Sequence, residues 1–261
     1  MNLVLLDAHE APADGRLSLD GARARHIIKV LHAAPGDPLR VGIVDGPLGV
    51  ATVVAVTDTR VDLHCQFEAI PPRPPVDLLL ALPRPKVLRR LWAQIAALGV
   101  GHIILTNAAR VERNYFDTHL LDEAAYRPLL IEGLQQARDT HVPKVSVRRQ
   151  LKVLLEDELD TLCPSSLRLT AHPGAHHSLT ALVRDAVRGP VLLAIGPEGG
   201  WTPYELDLLA THGFRSASAG PRTLRSDTAC VALLALVHEG VVMRGDLRAQ
   251  RLKENTPGEA K

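Results

Sequence analysis

The chain has 261 residues, 46% of them apolar, with 30 Lys and Arg against 29 Asp and Glu: enough for one large domain or two modest ones with a proper core, and too evenly charged overall to announce a nucleic-acid partner. The opening Met1-Asn2-Leu3-Val4-Leu5-Leu6-Asp7 lacks the basic flank and small-residue cleavage site of a signal peptide, and no run reaches the ~20 apolar residues of a membrane span, so a cytoplasmic chain without a membrane partner is expected. Cys65, Cys163 and Cys230 are scattered with no C-x-x-C pair, which argues against a disulfide framework or a thiolate zinc site and for buried, reduced thiols.

Local charge is uneven. Arg16, Arg23, Arg25, His26, Lys29, His32 and Arg40 gather near the start, offset only in part by Glu10, Asp14, Asp20 and Asp37; on charge alone a solvated helix face explains this better than a nucleic-acid contact. Gly21 to Leu31 predicts a short helix with Ile27, Ile28 and Leu31 on one side. Leu39 to Glu68 alternates as strands do, turning at Asp45-Gly46, so residues 1–70 read as a small, mostly β domain. Pro71-Pro72-Arg73-Pro74-Pro75 can continue neither a helix nor a central strand and reads as a stiff linker over 71–75.

Strand and helix patterns then alternate. Val76 to Leu82 is an apolar run, and Pro85 to Leu98 carries Val87, Leu88, Leu91, Trp92, Ile95 and Leu98 at helical spacing with Gly99 as its stop. His102 to Thr106 is the next strand, followed by a long helical stretch that ends near Arg138 and is broken or started at Pro128. Leu167 to Ala171, Val191 to Ile195 and Phe214 to Ser218 supply further strands between helices. This alternation predicts an α/β domain over 76–250, a parallel sheet with helices on both faces, and leaves 251–261 as a disordered tail.

Ligands of such sheets bind outside the carboxyl ends of the strands. Three loops fall there: Ala171-His172-Pro173-Gly174-Ala175, Gly196-Pro197-Glu198-Gly199-Gly200, and Ala219-Gly220-Pro221-Arg222. After the second, Thr202 reads as an N-cap, with Pro203 first in the helix and Glu205 completing a capping box. After the third, Ser226 or Asp227 is placed to cap an apolar helix from Ala229 to Val237. One glycine turn after a strand is weak; two close in sequence, the second carrying Arg222 and Arg225, mark a site. There is no P-loop, and Gly99-Val100-Gly101 lacks the third glycine of a dinucleotide loop. His172, His176 and His177 have no Cys or carboxylate at matching spacing, so no metal is expected; Trp92 reads as core and Trp201 as packing beside the glycine loop, placed to wall a pocket.

IGPEGGWTPYEL followed by AGPRTLRSDTA resembles the signature of the ribosomal RNA small subunit methyltransferase E family, the bacterial 16S ribosomal RNA uridine-N3 methyltransferases of the SPOUT superfamily. The resemblance covers nearly the whole chain. His26-Ile27-Ile28-Lys29-Val30-Leu31 and Gly36-Asp37 are similar to the family's PUA-like RNA-binding domain, and Pro83-Arg84-Pro85-Lys86 stands where the family has a basic segment. One departure is clear: the family's E-Q-S-G-R-like run before V-P is here Leu134-Gln135-Gln136-Ala137-Arg138-Asp139-Thr140-His141-Val142-Pro143, without the glutamate and with the arginine displaced by one, which leaves Gln136 and Arg138 without an assigned role.

The resemblance implies a trefoil-knotted catalytic domain behind a PUA-like β-barrel, a homodimer with each site near the partner subunit, and S-adenosylmethionine (S-adenosyl-L-methionine) bound bent within the knot. The substrate it implies is 16S ribosomal RNA within the assembled small ribosomal subunit. The cofactor residues are then Ala171, His172, Pro173, Gly174, Ile195, Gly196, Pro197, Glu198, Gly199, Gly200, Ala219, Gly220, Pro221, Arg222 and Leu224, and the RNA-binding residues Arg23, Arg25, His26 and Lys29. Methyl transfer to N3 requires loss of the imide proton, which a nearby arginine favours by stabilising the uridinate oxygens; Arg225 is the first candidate and Arg222 the second, with Glu198 a base or merely a cap of its loop. Two other readings stay open: an RNA-binding module without catalysis, against which the intact GPEGG and GPRTLR loops argue, and methylation of another RNA position.

Overall fold

The computed structural model describes residues 3–254 apart from 165, 187 and 188, and side chains as far as residue 245. Of the expected disordered tail, 251–254 continue the last helix and 255–261 lie outside the described residues. The chain forms two compact units.

The first comprises Met1–Pro74, Trp92–Gly99 and Asp122–Pro143, and so takes in two stretches beyond the Pro-rich segment. Its five-stranded sheet runs β1 (Val4–Leu6), β3 (Pro38–Ile43), β4 (Leu48–Val56), β5 (Val61–Phe67), β2 (Arg16–Leu19). β1 lies parallel to β3 and the other pairs are antiparallel. Alternation puts Val41, Ala51, Val53, Leu63 and Cys65 in one core with Ala24 and Ile27 of α1 (Gly21–Lys29). Leu31 does not join them: α1 ends two residues earlier and Leu31 is 41% exposed. Asp45, at φ 54, and Gly46 make the expected turn, which is latched to the chain at 140–142 by Asp45 N–H to the Thr140 carbonyl (2.8 Å) and Thr140 Oγ1 to the Gly46 carbonyl (2.7 Å).

Two predictions arise in this unit. Glu10 is paired with the Arg23 guanidinium, which holds its carboxyl at about 2 against an ordinary 4.5. A carboxyl depressed in this way stabilises the fold fully above the unfolded value and loses that contribution as pH falls towards the folded one. Glu10→Gln should therefore cost stability at pH 7, about 1 kcal/mol or less after solvent screening, in urea denaturation. The deficit should shrink as pH drops from about 4.5 towards 2; a deficit as large at pH 3 as at pH 7 would show that the charge is not its cause. The second concerns α3 (Glu123–Ala137), where a Cβ on Gly133 would overlap the Ala93 carbonyl oxygen of α2 (Pro85–Ala97). Gly133→Ala forces these backbones apart at roughly 1–3 kcal/mol, more than the ~1 kcal/mol of helix propensity that alanine recovers, so a lower denaturation midpoint is expected and an unchanged one would show the helices free to separate.

Pro128 neither breaks nor starts α3. The helix begins at Glu123 after Asp122, so Pro128 sits in its second turn and only the bond to residue 124 is lost. Arg138 supplies a left-handed cap at φ 60, its N–H on the Leu134 carbonyl, which is a backbone role. Trp92 is fully buried against Tyr126, ring centroids 5.0 Å apart, as a core residue should be.

The second unit, Pro75–Leu91, Val100–Leu121 and Lys144–Lys261, is built on a six-stranded, wholly parallel sheet. Its order is β11 (Arg215–Ala217), β9 (Leu167–Ala171), β10 (Val191–Ile195), β6 (Val76–Ala81), β7 (His102–Thr106), β8 (Lys144–Arg148). β10 and β7 are buried at every position, as strands covered on both faces must be. The helical pieces after α3 are α4 (Leu151–Val153), a π turn (Leu154–Glu158), α5 (Leu159–Leu162), α6 (Leu179–Arg184), α7 (Pro203–Thr211) and α8 (Ser226–Glu254). α8 corrects the expected Ala229–Val237 at both ends, and it begins at Ser226, so neither Ser226 nor Asp227 caps it from outside. By length and composition its Ser226–Gly245 portion would also pass for a membrane span, against the expectation that no run would. Cys230, Leu234 and Val237 on it are buried. All three cysteines are free and buried; burial pushes the Cys163 and Cys230 thiols up to about 12.

Candidate functional site

The carboxyl ends of β9, β10 and β11 open into a cavity of about 230 Å³. The turns around it are fixed locally. Gly200, at φ 74, closes a tight turn by donating its N–H to the Pro197 carbonyl at 2.7 Å. Thr202 and Glu205 form the expected capping box with Pro203 at the first helical position of α7. Glu205, 5% exposed, does more than cap: Oε2 accepts from Thr202 N–H and Oγ1 at 2.7 and 2.9 Å, while Oε1 accepts from Ala109 N–H at 2.7 Å and ties the loop to the end of β7. Gly220 sits at φ 117, its N–H donated to Ser218 Oγ at 3.0 Å. The 171–175 loop is stitched to the same strand end by His172 N–H on the Ala217 carbonyl at 2.9 Å.

Most of the residues expected at a cofactor meet here. Ala171, His172, Pro173, Ile195, Gly196, Pro197, Glu198, Gly200, Ala219, Gly220, Pro221, Arg222 and Leu224 line the cavity. Gly174 and Gly199 do not. Gly199 turns outward, where the Arg110 guanidinium donates to its carbonyl and Arg84, Glu112 and Tyr115 line a smaller recess. Trp201, 6% exposed, walls the cavity, its ring 3.1 Å from where a Gly196 Cβ would stand. Ala217, Ser218, Thr223, Ala229 and Leu233 line it too. Thr223 falls within the Ala219 to Leu224 backbone segment expected at the ligand; the other four carry no expectation from the sequence, although Ala229 and Leu233 share an i, i+4 face of α8 that signals it.

A second cavity, about 520 Å³, adjoins the first across Glu198, Thr223 and Leu224 and is completed by Arg84, Lys86, Val87, Arg90, Arg225 and Asp227. Arg84 Nε lies 3.4 Å from Glu198 Oε2, and Arg90 pairs with Asp227 at 2.7 Å. The Tyr115 hydroxyl and then Glu198 raise the Arg84 guanidinium further above its ordinary value, so it stays charged. Among the described residues no ion pair restrains Arg225 or Lys86, and Arg225 is exposed. The two candidate arginines thus part company: Arg222 faces the first cavity and Arg225 the second.

On α1, Arg25 and Lys29 are exposed and His26 is half-buried. Arg23 is committed to its own unit, donating to Glu10 and, at 3.3 Å, to the Leu5 carbonyl. His172 lines the cavity, His176 and His177 are exposed, and among the described residues no three His, Cys, Asp or Glu side chains converge as for a metal.

Comparison with known proteins places this architecture. Residues 71–238 match the family described as RNA methyltransferase domain. The ribosomal RNA small subunit methyltransferase E of Treponema pallidum is 33% identical over 243 residues, 91% of this chain and 90% of that one. Its namesake from Bacillus subtilis is 26% identical over 91% of this chain and 94% of its own. The crystal structure of a ribosomal RNA small subunit methyltransferase E from Neisseria gonorrhoeae, bound to S-adenosyl methionine, superposes with a TM-score of 0.68 at 21% identity over 90% of this chain and 95% of that one, and shows that the fold is shared. With the domain match spanning residues 71–238 and a relative 33% identical along 91% of it, the chain belongs to the ribosomal RNA small subunit methyltransferase E family of RNA methyltransferases.

Proposed function

We propose that this chain is an S-adenosylmethionine-dependent methyltransferase that methylates N3 of one uridine in 16S ribosomal RNA of the small ribosomal subunit. The observation that carries the reading is the pair of adjoining cavities: one apolar and walled by backbone turns, the other ringed by Arg84, Lys86, Arg90 and Arg225, with Glu198, Thr223 and Leu224 common to both. The first suits an adenosyl group. Ala171, Ile195, Ala217 and Leu233 offer apolar walls, and the Gly196–Gly200 and Ala219–Leu224 backbones bring N–H and C=O groups close without side chains between. The second suits a nucleotide of RNA, whose phosphates seek cations.

S-adenosylmethionine, when bound, supplies an electrophilic methyl group. What the chain does is position and stabilise. Loops 196–200 and 219–224 would hold the donor in place, which is the entropic share of the rate effect. Arg225, from the second cavity, stabilises negative charge on the uracil oxygens as the N3 proton passes to solvent water. Arg222 takes a phosphate or substrate contact at the rim of the first. Glu198 is held beside Arg84 as a loop tether. The same reading includes a trefoil knot through which the last strands and α8 thread, a PUA-like character for the first unit with Arg25, His26 and Lys29 on RNA, a homodimer that completes each site, and action in the cytoplasm.

Calorimetric titration of the purified chain with S-adenosylmethionine tests the reading against an RNA-binding module that only keeps the fold. Saturable heat with one site per chain supports catalysis; no heat at millimolar ligand favours the module.

A further inference from the structure

A further recess lies on the far side of the α7 entry turn. Gly200 and Trp201 face the first cavity, whereas Thr202, Tyr204 and Glu205 line a hollow of about 300 Å³ at the carboxyl ends of β7 and β8. Three features set its chemistry. Tyr204 is 62% exposed and is, among the described residues, the one aromatic side chain left so open in a chain of 3% aromatic content. Arg149 is held in a fixed attitude, its guanidinium 5.2 Å over the Phe116 ring and Nη2 on the Phe116 carbonyl at 3.3 Å. Lys152 stands beside it, its one ion pair among the described residues a loose 3.8 Å contact to Glu156 within the same helical stretch. The carboxylate that lines the hollow, Glu205, is consumed by Thr202 and Ala109. The recess therefore offers two cations, an open aromatic face and the amides of Asn107 and Gln150.

We infer that this recess docks a second, unmodified nucleotide of the same RNA: its base stacks on Tyr204, its phosphate meets Lys152 and Arg149, and Asn107 and Gln150 meet the base edge. Stacking on an exposed aromatic beside cations is how single-stranded RNA is held. Because the recess and the methyl-transfer cavities flank the same turn, 200–205, a strand seated in both fixes the register of the target uridine. The inference rests on the reading of RNA as substrate.

The test is binding of a fluorescent dodecauridylate by anisotropy across a salt series, with S-adenosylmethionine calorimetry on the same proteins. Tyr204→Ala should weaken the RNA roughly 5- to 100-fold, and Tyr204→Phe, which keeps the ring, about twofold at most. Lys152→Ala should lower the slope of log affinity against log salt by about 0.7, one phosphate on a single strand. Cofactor affinity should stay unchanged in all three. Wild-type affinity in Tyr204→Ala, or a phenylalanine variant as weak as alanine, would overturn the inference. So would a Tyr204→Ala enzyme that binds dodecauridylate normally yet fails on assembled subunits, since that assigns the recess to a protein partner. Absence of cofactor binding in the wild type would instead sink the methyltransferase reading and leave the RNA result to stand alone.

Discussion

Gly220→Val should remove S-adenosylmethionine binding, by roughly a hundredfold or more, while leaving a folded protein. The φ of 117 at Gly220 is one that L side chains rarely adopt, so any substitution strains the turn by about 1–3 kcal/mol. No protein atom lies within 4 Å of the Cβ position, so the new side chain meets no core and projects into open space at a residue that lines the cavity. Filling ligand space adds about 1–3 kcal/mol more, and the sum corresponds to roughly one and a half to four decades of affinity. Gly199→Val should do less. Its Cβ points outward, 2.8 Å from Arg110 Cδ, and acts on the cavity only by disturbing the Arg110 clamp. Calorimetry and thermal unfolding on both variants decide it: a folded Gly220→Val protein with wild-type affinity would take the cofactor out of this cavity.

Arg225→Ala should slow single-turnover methylation by about a hundredfold, the usual consequence of losing one donor to a developing oxyanion, with cofactor affinity little changed because Arg225 faces the second cavity. Arg225→Lys should recover only part of the rate, since an ammonium lacks the planar fork of a guanidinium. The alanine variant should gain from rising pH: more of the uridine is deprotonated by solvent as pH approaches the imide pKa, and this replaces ionisation that the arginine no longer favours. A variant that loses RNA affinity but keeps its saturating rate would place Arg225 on the phosphate backbone and pass the role to Arg222 or to the partner subunit.

Which features the sequence disclosed follows from how local they are. β6, β7 and β10 are short, largely apolar runs, and α2 keeps helical spacing over 13 residues, so composition alone locates them; β9, Leu167-Arg168-Leu169-Thr170-Ala171, is only half-buried at three of its five positions and shows itself by alternation. β1 and β2 are three and four residues long and carry too few positions for alternation to show. β8 alternates, Lys144-Val145-Ser146-Val147-Arg148, but as an edge strand it is half polar and stands out weakly, and Leu151, Leu154, Leu155 and Leu159 have the spacing of the helical stretch they bury. The far half of α8 exposes Val242 and Met243 among polar neighbours, so its apolar pattern fades well before the helix ends.

The same distinction holds at the site. The glycine loops were legible because each follows a strand and bends at φ values of 74 and 117 that glycine suits. The second cavity was not. Arg84, Lys86 and Arg90 lie far from Arg225 in sequence; the pairing of β6 with β10 brings the loop after β6 alongside Glu198, and the Arg90–Asp227 ion pair draws the start of α8 to the same cavity. Arg110 reaches Gly199 by the same long-range route, and Glu205 gave no local sign that it would also bind Ala109.

The most direct test of the central claim is the nucleoside composition of small-subunit ribosomal RNA from a strain lacking this chain, read by mass spectrometry. In that strain 3-methyluridine should disappear, return with the wild-type chain supplied in trans, and stay depleted with Gly220→Val. Unchanged 3-methyluridine in the deletion strain would contradict that claim.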